Sequence, residues 1–160
     1  MNRNLIKTSE DKKVRYYIYG NDYNMCTKNV LFRIAAINQN NIELGSCILD
    51  VEFKTHTREK PATYNIKVDF YQPNKTYSVE EFVCNVFDCV ERFIEAREMR
   101  HCKITGHFGN NKAITEALTA KGYELKNNML EKSIYMPYYR TMQERANVYK
   151  IFNEENENQL

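Results

Sequence analysis

Residues 102–125 read CKITGHFGNNKAITEALTAKGYEL, the order of residue types expected of a strand, a capped helix and a sharp stop. CKITGHF is a short strand. Asn110 or Asn111 can accept a hydrogen bond from the free N–H groups of the first helical turn. Ala113, Ile114, Ala117 and Leu118 then face inward, and Gly122 supplies the left-handed residue that ends the helix. The following YELKNNMLEKSIYM, residues 123–136, reads as one or two strands with KNN as a turn. After Pro137, the residues Tyr139, Met142, Ala146, Tyr149 and Phe152 step at helical spacing, so a short amphipathic helix is expected before a polar tail, NEENENQL, at residues 153–160.

Upstream, QPNKTYSVEEF (residues 72–82) is where an extended stretch passes into a strongly patterned helix. Ser78 is placed to cap its first turn and Glu81 to reach back, as in an S-x-x-E capping box. Val79, Phe82, Val83, Val86, Phe87, Val90, Phe93 and Ile94 recur at three- and four-residue steps. Glu80, Glu81, Asp88, Glu91, Arg92 and Glu95 take the opposite side, so the apolar stripe is core packing. A helix start also displays N–H groups that can hold a phosphate. Before it, TYNIKVDFY (residues 63–71) puts Tyr64, Ile66, Val68 and Phe70 on one face and Asn65, Lys67 and Asp69 on the other, the alternation of a strand. VLFRIAAI and IELGSCILDVEF (residues 30–37 and 42–53) form a hairpin through NQNN, and VRYYIY (residues 14–19) is a further strand. GNDYNMCTKN (residues 20–29) and KTHTREKPA (residues 54–62) read as loops, and residues 1–13 as a loose arm or an edge.

Several strands followed by strand–helix–strand–helix–strand specify an α+β domain with a mixed sheet and helices packed on it. At 160 residues the chain holds one such domain and is too short for two. No internal repeat or boundary divides residues 1–152. A formal net charge of +2 is too small to imply nucleic acid or a membrane surface. RYYIY and MPYYR interleave aromatics with arginine as single-strand binders do, but packing explains both, and nucleic acid is not expected as a partner. No stretch is long enough to cross a membrane, and MNRNLIKTSEDKKVRYY lacks the apolar core of a signal peptide, so a cytoplasmic protein is expected. Cys26, Cys47, Cys84, Cys89 and Cys102 include no C-x-x-C pair and read as reduced, mostly buried thiols. His101, Cys102 and His107 lack paired ligand spacing, so no metal is expected.

The stretch at residues 102–125 resembles the GNAT superfamily of acyl-CoA-dependent N-acyltransferases: a late strand, a helix of the type N-x-x-A, and a closing Gly-aromatic pair. Asn110, Ala113, Gly122 and Tyr123 match that pattern, and the resemblance covers roughly residues 30–136. It implies a GNAT-like, mostly antiparallel sheet in which two central parallel strands open to hold acetyl-CoA. It further implies a [QR]-x-x-G-x-[GA] loop at a helix start that receives the pyrophosphate, with acyl transfer to an amine by direct attack.

Under that resemblance Lys75, Thr76, Tyr77, Ser78 and Val79 are the cofactor-binding candidates, with Asn110 beside them. Asp69 and His107, at the ends of the two central strands, are the candidate bases, histidine being a residue type that titrates near neutrality. Each also has a plainer reading: an exposed strand carboxylate, a strand-end histidine, helix caps. The chain departs from the family in three places. Ser78 and Glu80 stand where the loop has glycines, which let backbone approach phosphate. At an effective dielectric near 20, two like charges about 4 Å apart repel by roughly 4 kcal/mol, so Glu80 opposes the anion. Leu118 stands where the family often has a tyrosine that protonates the leaving thiolate. GNDYNMCTKN is too short for the helices that wall the acceptor pocket. Two functions follow: an N-acyltransferase acting on an amine of a small molecule or protein, or a GNAT-fold binding or regulatory module that has lost acyl-CoA. In either, the helix from Tyr139 could cover the open side, within the chain or across a homodimer.

Overall fold

The five N-terminal strands pair each with its neighbour in sequence: β1 (Arg3–Thr8), β2 (Val14–Asn24), β3 (Asn29–Asn38), β4 (Glu43–Lys54) and β5 (Thr63–Phe70) form an antiparallel meander. Helix α1 (Val79–Arg97) then crosses over to β6 (His101–His107), which lies parallel to β5. Helix α2 (Lys112–Ala120) leads to β7 (Glu124–Lys126) and β8 (Met129–Tyr135), and β8 inserts beside β6 to give the order β1-β2-β3-β4-β5-β6-β8-β7. The fold is therefore α+β, with a mixed, mostly antiparallel sheet and helices packed on it. The computed structural model describes residues 3–24, 29–54, 63–71, 73–99, 101–107 and 111–135. The amphipathic segment from Tyr139 and the tail at residues 153–160 lie outside the described residues, as does Cys26.

The turns are made by the residue types the sequence supplies. At the β3–β4 turn Asn38 Oδ1 accepts from the N–H groups of Asn40 and Ile42, both at 2.9 Å, and Asn41 takes a left-handed φ of 61°. Asn127 and Asn128, with φ of 51° and 63°, make the two-residue β7–β8 turn, which requires positive φ at both positions. Asn111 caps α2, its Oδ1 accepting from Ile114 N at 3.1 Å. The helix ends where Tyr123 N bonds Leu118 O and Gly122 N bonds Thr119 O, both at 3.0 Å, with Gly122 at φ 95°. This is the Schellman closure that glycine permits.

Of the two readings of the first residues, a loose arm or an edge, the edge holds: Arg3 to Thr8 pair with β2 as an edge strand. One expectation changes. The segment read as a loop at residues 20–29 is largely strand, because β2 runs on to Asn24 and pairs Asp22↔Leu31, Tyr23↔Val30 and Asn24↔Asn29. The register shifts between Tyr19 and Asp22. Ladder pairing across that irregularity overrides the weak strand propensity of Gly, Asn and Asp.

One face of the sheet packs on α1 and α2. Phe82, Val83, Val86, Phe87, Cys89, Val90, Phe93 and Ile94 of α1 are buried against Tyr16, Ile34, Leu49, Ile66, Val68 and Ile104 of the strands. A smaller buried cluster, Leu5, Tyr17, Ala35 and Ile37, occupies the opposite face. The half-buried Asp88 of α1 ties three elements, accepting from Lys7 of β1 and from Lys121 just past α2. Burial raises the carboxyl's pKa, but the bonds from Lys121 and Lys7 outweigh it and hold the group below 3.8. A depressed carboxylate stabilises the fold above its unfolded pKa and loses that contribution as pH falls through the folded value. Asp88→Asn should therefore cost about 1–2 kcal/mol at pH 7. It should also flatten the acid limb of stability against pH, measured by urea titration from pH 7 to 2; an unchanged acid limb would show that Asp88 carries none of it.

Candidate functional site

The site predicted from sequence lies where the parallel pair ends and α1 begins. Strands β5 and β6 stay paired at every position from Tyr64↔Cys102 to Asp69↔His107. An opening between them, as the resemblance implies, would begin beyond that last pair. On the helix side this end is filled with aromatic rings. Phe87 lies 5.8 Å from Phe70 and 4.8 Å from Tyr123, centroid to centroid. A Cβ on Gly106 would come 2.6 Å from Phe87 Cζ, so glycine here is a requirement of close approach.

Asp69 and His107 are cross-strand neighbours, both exposed, on the face turned away from the helices. The register thus brings the two candidate bases side by side. His107 Nδ1 lies 2.9 Å from the carbonyl oxygen of Asn128 in the β7–β8 turn. A carbonyl can only accept, so Nδ1 carries the proton and donates. In the neutral ring the lone pair is then on Nε2, the arrangement a general base needs.

The loop ahead of α1 is closed largely on itself. Tyr71 N bonds Ser46 O at 3.0 Å and Asn74 N bonds Leu44 O at 2.7 Å, pinning the segment to β4. Asn74 Oδ1 accepts from Thr76 N at 3.1 Å and from Thr76 Oγ1 at 3.0 Å, and Asn74 O accepts from Tyr77 N at 2.9 Å. Ser78 caps the helix by accepting from Glu81 N at 3.2 Å. Glu81 does not complete the capping box; its carboxylate accepts instead from the Tyr77 hydroxyl at 3.4 Å. That hydroxyl also bonds Tyr16 OH, which accepts from Asn85 Nδ2 at 3.1 Å. Burial pushes the Tyr77 hydroxyl up to about 12 and Tyr16 further still, so both remain neutral donors at physiological pH.

Lys75, Thr76, Ser78 and Val79 are thus exposed at the α1 entry, while Tyr77 is half-buried and turned inward. The backbone N–H groups left for an anion are those of Lys75, Ser78, Val79 and Glu80, with the carboxylates of Glu80 and Glu81 in the same turn. Asn110 lies outside the described residues. Leu118 is fully buried in the core. The residues that sequence reasoning missed are Asn74 and Tyr16, which hold the loop shut. The signal for Asn74 was its place after Pro73, since asparagine there favours a turn closed by its own side chain. The link from Tyr16 to Tyr77 had none, being 61 residues long.

The four cysteines among the described residues show no catalytic environment. Cys47, Cys89 and Cys102 are buried and Cys84 half-buried, all four free, and burial raises each thiol, Cys47 and Cys102 to about 12. Cys102 faces the core while His101 and His107 stand at the two ends of β6 with the opposite alternation, so these three do not converge. Among the described residues no group of His, Cys, Asp and Glu is arranged to hold a metal ion, and no helix is long and apolar enough to cross a membrane.

No family model matches the chain, and no curated protein matches it. Among solved structures it is similar to a chain described under "The crystal structure of KacTA-DNA complex", with 14% identity and a TM-score of 0.40 over 78% of this chain and 74% of that one. A likeness so distant adds nothing to what the strand order and site geometry show.

Proposed function

We propose that the domain is a GNAT-like N-acyltransferase that moves an acyl group from acyl-CoA to an amine of a small molecule or protein, in the cytoplasm. The observation that carries this reading is the fixed tautomer of His107 at the end of the parallel pair, beside Asp69. His107 Nε2 takes the proton of the attacking amine, and Asp69 favours the imidazolium that results. The C–N bond forms as the C–S bond breaks. The thiolate is a good leaving group and needs no strong acid, so Leu118 in place of a tyrosine is tolerable. Lys75 and the N–H groups of Ser78 and Val79 would hold the donor's pyrophosphate, against the charge of Glu80.

A second reading is favoured by the closed loop: a GNAT-fold binding or regulatory module that no longer takes acyl-CoA, working as a homodimer through the segment from Tyr139. Asn74 and Tyr16 occupy groups that a phosphate-binding loop would offer. Titrating acetyl-CoA against the thermal midpoint separates the two. In the enzyme reading, ligand at 100 times its dissociation constant adds about 2.7 kcal/mol to stability, and Glu80→Gly enlarges the shift by removing like charge. Millimolar acetyl-CoA with no shift in either protein would exclude the acyltransferase.

A further inference from the structure

Between the β1–β2 turn and the β3–β4 turn lies a cleft of about 240 Å³ lined by Arg3, Lys12, Lys13, Arg15, Tyr17 and the amide side chains of the β3–β4 turn. We propose that this cleft binds a phosphate group, carried by a small phosphorylated ligand.

Four cations line it and no carboxylate does, in a chain whose formal net charge is only +2. None of the four forms a salt bridge with a described residue. The nearest acid in the turn, Asp11, lines the adjoining cleft instead, and its Oδ1 is taken by Ser9 Oγ at 2.7 Å and Lys13 N at 3.0 Å. Four like charges gathered with only Asp11 beside Lys13 to offset them raise the energy of the free protein, and an anion relieves it.

Two of the donors, Arg3 and Asn38, are held in place. The guanidinium of Arg3, which lines the cleft, lies 4.3 Å from the ring centroid of Tyr17, which is only 3% exposed, so the ring gives the planar fork a rigid seat. Asn38 spends its Oδ1 on the N–H groups of Asn40 and Ile42, and so has only its NH₂ left to offer. Guanidinium, ammonium and amide donors with no acceptor among the charged groups suit the oxygens of a phosphate monoester or pyrophosphate. The proposal stands apart from the acyltransferase reading, because the cleft shares no residue with the α1 entry or with Asp69 and His107.

The test is calorimetric titration of the full chain with inorganic pyrophosphate and, separately, adenosine monophosphate, in chloride buffer of matched ionic strength. Saturable binding is expected for at least one probe. Losing a charge-assisted hydrogen bond should weaken it about tenfold in Arg15→Gln and in Arg3→Gln. Lys67→Gln, an exposed change on β5, should leave it unaltered. Tight pyrophosphate with weak monophosphate would identify a diphosphate-bearing ligand, and the reverse a nucleotide monoester; either supports the site. Absence of saturable binding up to tens of millimolar overturns it, as does equal weakening by Lys67→Gln. Arg3→Gln and Arg15→Gln are surface changes; circular dichroism establishes that they fold, and Arg15→Lys, which keeps the charge, should restore part of the affinity.

Discussion

Replacing Phe87 with alanine is expected to cost about 3–5 kcal/mol, a large part of the 5–15 kcal/mol by which a domain of this kind is stable. The ring is fully buried, set edge-on to Tyr123 and tilted against Phe70, and its Cζ fills the space left by the missing side chain of Gly106. The complementary change, Gly106→Ala, should cost about 1–3 kcal/mol, because a ring held by two aromatic neighbours cannot swing clear of the new methyl. The two effects should not add. In a Phe87→Leu background the methyl at position 106 has more room, so urea denaturation of the four proteins should give a favourable coupling energy of about 0.5–3 kcal/mol. A Gly106→Ala penalty that is the same with either side chain at position 87 would mean that the contact does not dictate the glycine.

Within the acyltransferase reading, His107→Gln should lower kcat about 10²- to 10⁴-fold, the usual contribution of a positioned base, with the KM for acetyl-CoA little changed. Glutamine can still donate to the Asn128 carbonyl, so the β7–β8 turn and the thermal midpoint should hold; lost rate with kept stability is the distinguishing pair of results. Asp69→Asn should have a smaller effect, since Asp69 acts only through the imidazolium beside it. If His107→Gln turns over at the wild-type rate and keeps the same pH profile, the proton leaves by another route.

The α+β class, the hairpin at NQNN and both helices were legible because local signals agree there: the alternation of residues 63–71, the stripe from Phe82 to Ile94, the Asn111 cap and the Gly122 stop. Asp69 and His107 were legible as strand ends, but their pairing was not. It follows from the register of β5 against β6, a pairing across a long crossover that neither strand's own sequence displays. The extension of β2 to Asn24 escaped notice because its cause is the partner strand β3, not its own residues. The closed loop was hidden for the same reason. Thr76 and Tyr77 look like phosphate ligands until Asn74 and Tyr16, one next door and one far away in sequence, are seen to hold them.

The two margins of the sheet bear on how copies of this chain could meet. At one margin β7 has three residues, and at the other the β1 register shifts between Leu5 and Lys7. Sheet extension from one molecule into another needs a run of unpaired N–H and C=O groups at regular intervals. A three-residue strand supplies too few, and a bulge puts them out of step. Among the described residues, contact between copies is therefore favoured through side chains, where charge and shape select the partner, over backbone-to-backbone joining at β1 or β7.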